Sequence, residues 1–557
     1  MYNNNKILVV IPARGGSKRI PRKNTRLLAD KPLIVYSIEM ARASEYVDDI
    51  VVSTDDSEIS FIAEKFGAGV IRRSEELSGD DVPLDPIVFE AMVQKEKQTF
   101  DEYDIVITVQ STSPLLETAT LNRAIEKFDD FSIDSIIGVV DDRHLNWGYD
   151  EKNERFFPLY TKRVNRQYLP KSFKETGALL ATRRSFVHED SRLGTNIDII
   201  ELAPHESVDI VNYEDWWVAE KYIKRKKVAF IVNANDDIGT DYIYRCLAMG
   251  SKLVSEEILY LIDEDYPLGS EIVSGFNYNY VIYDGEDDLF NKLREFCPQI
   301  VVNDILDTSE EYISHLKDEG YFVCNFEDIG AGSNLAHVVF DDLYEHELTE
   351  KNVYTGHKYY ILKNGFFFQP TKVISQEVNN VLINFGVDDS NNFTEKVLDA
   401  LIASGFKGRI NVILKRNYPN LEEFISKYER YSTVQIYTHV PKISDFMFSA
   451  DIIFTSANKS MYEACSLGIP TICICQNERE KSHVFANANN GFVNMGLGEE
   501  LTPQDIADKF NSMVDDYDFR LEMHNRMLRI DLKHGFENVK SVIEAEYREF
   551  KLNKLIG

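Results

Sequence analysis

Ile11-Pro-Ala-Arg-Gly-Gly-Ser-Lys-Arg-Ile-Pro-Arg-Lys-Asn24 follows directly on an apolar run, Lys6-Ile-Leu-Val-Val-Ile11. The run reads as a buried parallel strand, because it is continuous and not alternating. The stretch after it carries Arg14, Lys18, Arg19, Arg22 and Lys23 in a chain with 61 Lys+Arg against 92 Asp+Glu. Gly15 and Gly16 let backbone N–H groups come close to a polyanion, and the basic side chains supply countercharge. A strand that opens into such a loop points to an α/β fold with a triphosphate at the strand's carboxyl end. The stretch is neither a Walker A loop nor a G-x-G-x-x-G fingerprint. Read on charge alone, it also fits a solvated basic loop.

Working outward, strand-like runs alternate with amphipathic helical segments along the whole chain: 6–11, 49–54, 104–109, 136–140, 227–232, 279–283, 299–302, 380–385, 410–414, 434–437, 451–454 and 470–475. This alternation predicts α/β architecture with mostly parallel sheets. A length of 557 residues exceeds what one core supports. The basic cluster Lys221, Lys224, Arg225, Lys226 and Lys227 ends one helix, and a new strand starts at Val228. That restart sets a domain boundary near 225. Residues 1–225 form one expected domain, 226–370 the first lobe of another, and 371–557 its second lobe together with the C-terminal helix. Residues 141–175 read as irregular, with Trp147, Phe156, Phe157 and Tyr160 among charges, and suit either a dimerisation arm or a covering insertion.

The net charge of −31 disfavours nucleic acid and anionic membrane as partners, since both repel such a chain. No apolar run is long enough to span a bilayer, and the N-terminus lacks a signal-peptide pattern. A cytoplasmic location is expected. The six cysteines, none before Cys246, suit buried structural thiols and not a disulfide framework or zinc site.

The loop at 11–24 resembles the signature of the CMP-sialate synthetase family, the cytidylyltransferases that activate nine-carbon sugar acids. Further stretches are similar in the same order: Val51-Val-Ser-Thr-Asp-Asp56, Arg73-Ser-Glu-Glu-Leu-Ser-Gly-Asp80, Gln110-Ser-Thr-Ser-Pro-Leu115, Arg166-Gln167-Tyr168-Leu169-Pro170, Thr176-Gly-Ala178 and Ser207-Val-Asp-Ile210. The resemblance covers about residues 5–225. It implies a nucleotidyltransferase domain, glycosyltransferase-A-like with a Rossmann-like mixed sheet. It implies attack of a sugar-acid anomeric hydroxyl on CTP, giving CMP-sugar and pyrophosphate, with magnesium or another divalent cation as cofactor. By the same resemblance Arg14, Ser17, Lys18, Lys23, Asn24 and Arg73 serve the nucleotide, and Gln110, Arg166 and Gln167 the sugar acid. Arg14, Lys18 and Asp209 carry catalysis, with Asp209 the metal ligand. CTP and a sialic, legionaminic or pseudaminic type of acid are the expected ligands, and a homodimer or higher homo-oligomer through this domain is the expected assembly.

Three positions depart from the family pattern. Val211 stands where a second metal carboxylate is usual, so Asp55, Asp56 or Asp215 would have to compensate. Leu116 and Thr176 stand where Arg and Asn are usual, near the sugar acid.

Residues 228–540 resemble the hydrolases that remove UDP from diacetamido-trideoxyhexoses, a two-lobed glycosyltransferase-B-like family. The resemblance rests on Ile238-Gly-Thr-Asp-Tyr-Ile-Tyr-Arg-Cys-Leu247, Phe385-Gly-Val-Asp-Asp-Ser-Asn-Asn392 and Ser456-Ala-Asn-Lys-Ser-Met-Tyr-Glu-Ala464 running into Leu467-Gly-Ile-Pro470. It implies a nucleotide site with Gly386 giving backbone access, Glu463 on ribose hydroxyls, and Ser460 capping a helix or meeting phosphate. Asp241 and Tyr242 stand where that family has Gly and its base, His. A phenol titrating near pH 10 is a poor base at neutrality. The second module is therefore expected to be degenerate. The alternatives are a bifunctional enzyme that also hydrolyses a UDP-sugar, and a non-catalytic nucleotide-sugar-binding protein.

Overall fold

The structure is a computed structural model of the chain. It describes residues 2–79, 81–235, 239–344, 352–386, 389, 391–415, 418–438, 440 and 442–556. Asp80, Ile238, Val387, Asp388 and Ser390, quoted in the motifs above, lie outside the described residues.

The chain divides into two compact units, Met1–Arg225 and Lys226–Gly557. In the first, the apolar run forms the strand Ile7–Pro12, whose first five residues are buried. It lies inside a seven-stranded sheet, between Ile105–Val109 and Asp49–Thr54, with parallel pairing on both sides. Phe173–Arg183 runs antiparallel to Ile105–Val109 and to Ser135–Asp141, so the sheet is mixed, as expected. Helices cover both faces, and Ile7, Val9 and Ile11 pack on one side while Leu8 and Val10 pack on the other. That two-sided burial is why the run shows no alternation.

The second unit contains two parallel sheets. One has seven strands, with Lys227–Val232 and Ile300–Asp304 near its centre. The other has six, with Asn380–Ile383 paired to Arg409–Ile413 and to Ile452–Thr455. These are the two expected Rossmann-like lobes. Several strands were absent from the sequence reading: Gly69–Arg72, Phe173–Arg183, Ile197–Glu201, Glu257–Asp263, Phe322–Phe326, Val338–Asp341, Val353–Thr355 and Phe492–Leu497. Gly69–Arg72, Ile197–Glu201, Val353–Thr355 and Phe492–Leu497 lie at sheet edges, and the other four are interior strands that carry polar residues. The segment read as irregular holds a hairpin, Trp147–Asp150 with Arg155–Pro158.

The last helix, Gly535–Ile556, differs in placement from the sequence reading, which grouped it with the second lobe. It packs on the first, where Phe536, Val539 and Tyr547 share a core with Val228, Ile300 and Phe322. Gly535 is needed there, because a Cβ would sit 1.8 Å from the Tyr360 carbonyl oxygen. All six cysteines are free thiols, and five are buried. Among the described residues no helix is long and apolar enough to cross a membrane.

Candidate active site

The basic loop begins where Ile7–Pro12 leaves the sheet. Ala13 N–H donates to the Ser53 carbonyl, extending the parallel pairing by one residue. The chain then turns, with Ser17 N–H on the Gly15 carbonyl. Gly15 N–H donates to Asp55 Oδ1 at 3.0 Å. A Cβ on Gly15 would come within 2.6 Å of Asp56 Oδ2, so only glycine fits beside the exit of the second strand.

Three loops converge on this turn. Asn24 is buried: its Nδ2 donates to the Arg14 carbonyl at 2.9 Å, and its Oδ1 accepts from Ser111 Oγ at 2.8 Å. Its side chain is thus a strut tying the loop to the 110–115 segment. Lys23 Nζ donates to the Ile210 carbonyl at 2.8 Å, and Ile210 N–H donates to the Thr112 carbonyl. Burial lowers the Lys23 pKa while the nearby Asp209 carboxylate opposes the shift. Arg73, also buried, donates to the Ser53 carbonyl at 2.8 Å; burial lowers its pKa, Asp55 opposes, and Arg14 adds to the lowering. Arg14, Ser17, Lys23, Asn24, Arg73 and Asp209 thus belong to one neighbourhood. Lys18 sits on the exposed crest of the same loop.

Gln110 ends the strand Ile105–Val109. Gly177 passes so close that a Cβ would lie 2.7 Å from Gln110 Nε2, and its φ of +74° also calls for glycine. Thr176 Oγ1 donates to the Gly138 carbonyl. Leu116 is buried in the core, so it reads no substrate directly. Arg166 and Gln167 lie apart, on an exposed single 3-10 turn, Arg166–Tyr168. Arg166 reaches the Asp141 carbonyl at 3.4 Å.

For a divalent cation, the carboxylates differ in what they already hold. Asp56 Oδ1 accepts the N–H groups of Glu58 and Ile59 as a helix cap. Asp215 Oδ2 accepts those of Val211 and Asn212. Both are spent on capping, which leaves them poorly placed to replace the missing second carboxylate. Asp209, half-buried beside Lys23, and Asp55 remain. One or two carboxylates completed by phosphate oxygens and water suit magnesium. Asp55 is a metal candidate in the sequence, but its bond from Gly15 N–H and the roles of Ser111 and Thr112 are not legible there, although all three stand inside the quoted motifs; their partners are set by strand adjacency, which spacing does not reveal.

In the second unit the carboxyl ends of both parallel sheets carry charge. Arg245, buried, donates from Nη2 to Asp304 Oδ1 and from Nη1 to Glu327 Oε1, each at 2.6 Å. Lys459 pairs with Glu327 at 2.7 Å across the lobes. Lys363 pairs with Asp241 at 2.7 Å and with Glu463 at 2.8 Å. The crowded surroundings raise the Asp241 pKa, but Lys363 and Lys459 more than offset this and hold it at about 2. An anion so held is a poor proton acceptor. Burial drives the Tyr242 phenol well above its ordinary value, with Glu327 and Asp304 adding to it. Gly386 takes φ +79°. Ser460 is not the helix cap expected: its N–H donates to Asn458 Oδ1 at 2.9 Å, and Asn458 satisfies the first turn of Ser460–Leu467. Glu463 is buried in that helix, its carboxylate turned to Lys363.

Residues 8–156 match the family model described as Cytidylyltransferase. The chain is similar to N-acylneuraminate cytidylyltransferase B of Danio rerio, 35% identical over 223 residues, which is 39% of this chain and 51% of that protein. It is similar to pseudaminic acid cytidylyltransferase of Campylobacter jejuni, 33% identical over 218 residues, 38% of this chain and 93% of that protein. It is also similar to CMP-N,N'-diacetyllegionaminic acid synthase of Legionella pneumophila, 44% identical over 122 residues, 22% of this chain and 52% of that protein. The chain spans about half the length of the first curated relatives it matches, 57% and 51%.

Proposed function

The chain belongs to the cytidylyltransferase family, and on that premise we propose that Met1–Arg225 transfers CMP from CTP to a nine-carbon 2-keto sugar acid of sialic, legionaminic or pseudaminic type. The observation that carries the reading is the convergence of three loops through Lys23 with Ile210, Ile210 with Thr112, and Asn24 with Ser111. It brings a basic glycine turn to the carboxyl ends of parallel strands, where nucleotides bind in open α/β sheets.

Arg14 and Lys18 neutralise the phosphate oxygens, Ser17 offers a hydroxyl, and Lys23 holds the loop against the irregular segment that carries Asp209. The anomeric hydroxyl attacks the α-phosphorus in line, its proton passes to solvent, and pyrophosphate leaves with the electron pair of the broken P–O bond. Such a transfer relies on positioning and charge more than on covalent help. A divalent cation, magnesium in the expected case, would be held by Asp209 and would add countercharge for the triphosphate. Gln110 orients the sugar acid, and Arg166 offers a planar fork for its carboxylate.

Assembly as a homodimer completes the reading. The hairpin near Arg166 exposes Trp147 (55%), Tyr149 (52%) and Phe156 (72%), apolar area that a second copy would cover. A cytoplasmic site of action, suggested by composition, suits CTP as substrate.

The test is incubation of the full chain with CTP, magnesium and each of the three types of sugar acid, followed by mass spectrometry. A CMP-sugar from at least one acid is expected. No CMP-sugar from any of them, with no pyrophosphate released, refutes the reading.

A further inference from the structure

Asp209 stands on a strap without regular structure. The strap covers residues 202–212, from the end of Ile197–Glu201 to the start of Tyr213–Ile223. No ladder of backbone bonds fixes such a segment, so its shape must come from individual struts. Beyond Asp209 these are the contacts already described: Ile210 is tied to Thr112 and Lys23, and Asp215 accepts the N–H groups of Val211 and Asn212. Before Asp209 the strut is Glu206.

Glu206 is 1% exposed. Its Oε2 accepts the Ala203 N–H at 2.9 Å, which folds the strap back on itself. Its Oε1 accepts the Glu117 N–H at 3.1 Å. Glu117 is the cap residue of the helix Thr118–Glu126, so the carboxylate meets the positive end of that helix. A neutral side chain with one acceptor oxygen could close one of these bonds; a carboxylate closes both. Backbone turns continue from there. Ser207 N–H donates to the Ala203 carbonyl at 3.3 Å, and Val208 N–H to the His205 carbonyl at 3.2 Å. Val208 then packs in the cluster that holds Ile210 and Trp216.

Asp209 lies between Val208 and Ile210, and its carboxylate is aimed by the turn that Glu206 closes. The two donors to Glu206 come from different segments. Ala203 belongs to the strap, and Glu117 follows the 110–116 segment that Ile210 grips through Thr112. The strap is therefore registered against one and the same segment on both sides of Asp209. Groups that orient a metal ligand govern affinity nearly as strongly as the ligand itself.

We propose that Glu206 is a positioning residue for the divalent cation and acts through Asp209. The proposal rests on Asp209 as the metal ligand of the cytidylyl transfer. Both Glu206 oxygens are taken by backbone N–H groups, so Glu206 holds neither cation nor nucleotide itself.

The test uses the full chain with CTP, manganous ion in place of magnesium, and no sugar acid. Water-proton relaxation separates protein-bound manganese from the ion on free nucleotide. Glu206→Gln keeps the volume but only one acceptor oxygen, and Glu206→Asp keeps both oxygens on a stem too short to reach both donors. Each should weaken manganese binding about tenfold or more. CTP affinity without metal should stay within about twofold, because the loop at 14–24 keeps its own braces. Adding Glu206→Gln to Asp209→Asn should cost no further manganese affinity, since the two residues act in series. Arg184→Met breaks the pair with Glu96 on the helix Leu84–Thr99 and controls for lowered stability; it should leave manganese binding unchanged. The proposal is overturned by unchanged manganese binding in both Glu206 variants, by effects that add fully to Asp209→Asn, by an equal loss in Arg184→Met, or by an unaltered chain that binds no manganese with CTP. CMP-sugar formation by the unaltered chain judges the transfer separately, so either reading can fail without the other.

Discussion

The two units use the carboxyl ends of parallel strands in opposite ways. In the first, cations gather on a half-exposed glycine turn whose backbone is braced by Asn24, Asp55 and Ser111. In the second, Arg245, Lys363 and Lys459 are drawn inward and matched to Asp304, Glu327, Asp241 and Glu463. An exposed cation costs little to keep and can exchange its contacts for those of an anionic ligand. A buried one must be paired, and it then serves the fold more than the ligand. Equal charge at equal places in two Rossmann-like sheets therefore predicts different consequences on removal.

The largest effect is expected in the second unit. Arg245→Met leaves Asp304 buried without its ion-pair partner and Glu327 with Lys459 alone, a loss of about 3–5 kcal/mol in that unit's stability. Two-transition calorimetry should show one transition lowered, with CMP transfer intact. An unchanged transition would break the comparison.

Next comes Asp209→Asn. A neutral amide is a poor ligand for a hard cation, so magnesium-dependent CMP transfer should fall about 100-fold, with no change in unfolding. Val211→Asp should preserve or raise the rate, which steady-state kinetics across magnesium concentrations would reveal. Full activity in Asp209→Asn would remove that residue from the metal.

Arg14→Ala and Lys18→Ala should each lose a charge-assisted contact of about 1.5–3 kcal/mol, seen as at least about a tenfold drop in kcat/KM for CTP. Their unfolding temperatures should match the unaltered chain, in contrast to Arg245→Met. Equal destabilisation in both units would erase the distinction.

The smallest effect is a pH dependence. His337 Nδ1 accepts the Val323 N–H at 3.0 Å, and burial, with Lys317 adding to it, lowers its pKa to about 4. The unfolded chain takes up this proton near pH 6.5 and the folded one does not. Stability is therefore complete above about pH 6.5 and declines as pH falls toward 4. Asp341, raised to about 7 by burial and by Asp342, runs the opposite way, losing stability as pH rises. The readout is thus a difference: His337→Gln keeps an acceptor for Val323 and should flatten the acid decline by about 1–2 kcal/mol in denaturant titrations at pH 7 and 4.5.

Much of this was legible in the chain. The loop at 11–24 could be read because a buried strand, glycines and clustered cations all lie within one short stretch, and its effect is local. The boundary at 225 was legible for the same reason, since a basic helix end meets a fresh strand. Partners set by folding were not. Asn24 reads as a ligand contact, and its bonds to the Arg14 carbonyl and to Ser111, in the turn after Ile105–Val109, come only with the fold. Ser460 reads as a cap until Asn458 takes its N–H. The missed strands carry polar residues or sit at sheet edges, where alternation and apolar runs both weaken.

The helix Gly535–Ile556 sets the order in which the second unit can be built. It seals the first lobe's sheet through Phe536, Val539 and Tyr547, and Tyr354 Oη donates to Glu546. That lobe's last strand, Val353–Thr355, leaves the ribosome about 180 residues before the helix begins, roughly 10–40 s at ordinary synthesis rates. Until then the sheet around Val228, Ile300 and Phe322 has the cover of Asp241–Lys252 but lacks that of the last helix. The second lobe can close while the first still waits, so the nascent chain depends on holding an apolar face out of aggregation for the length of that delay.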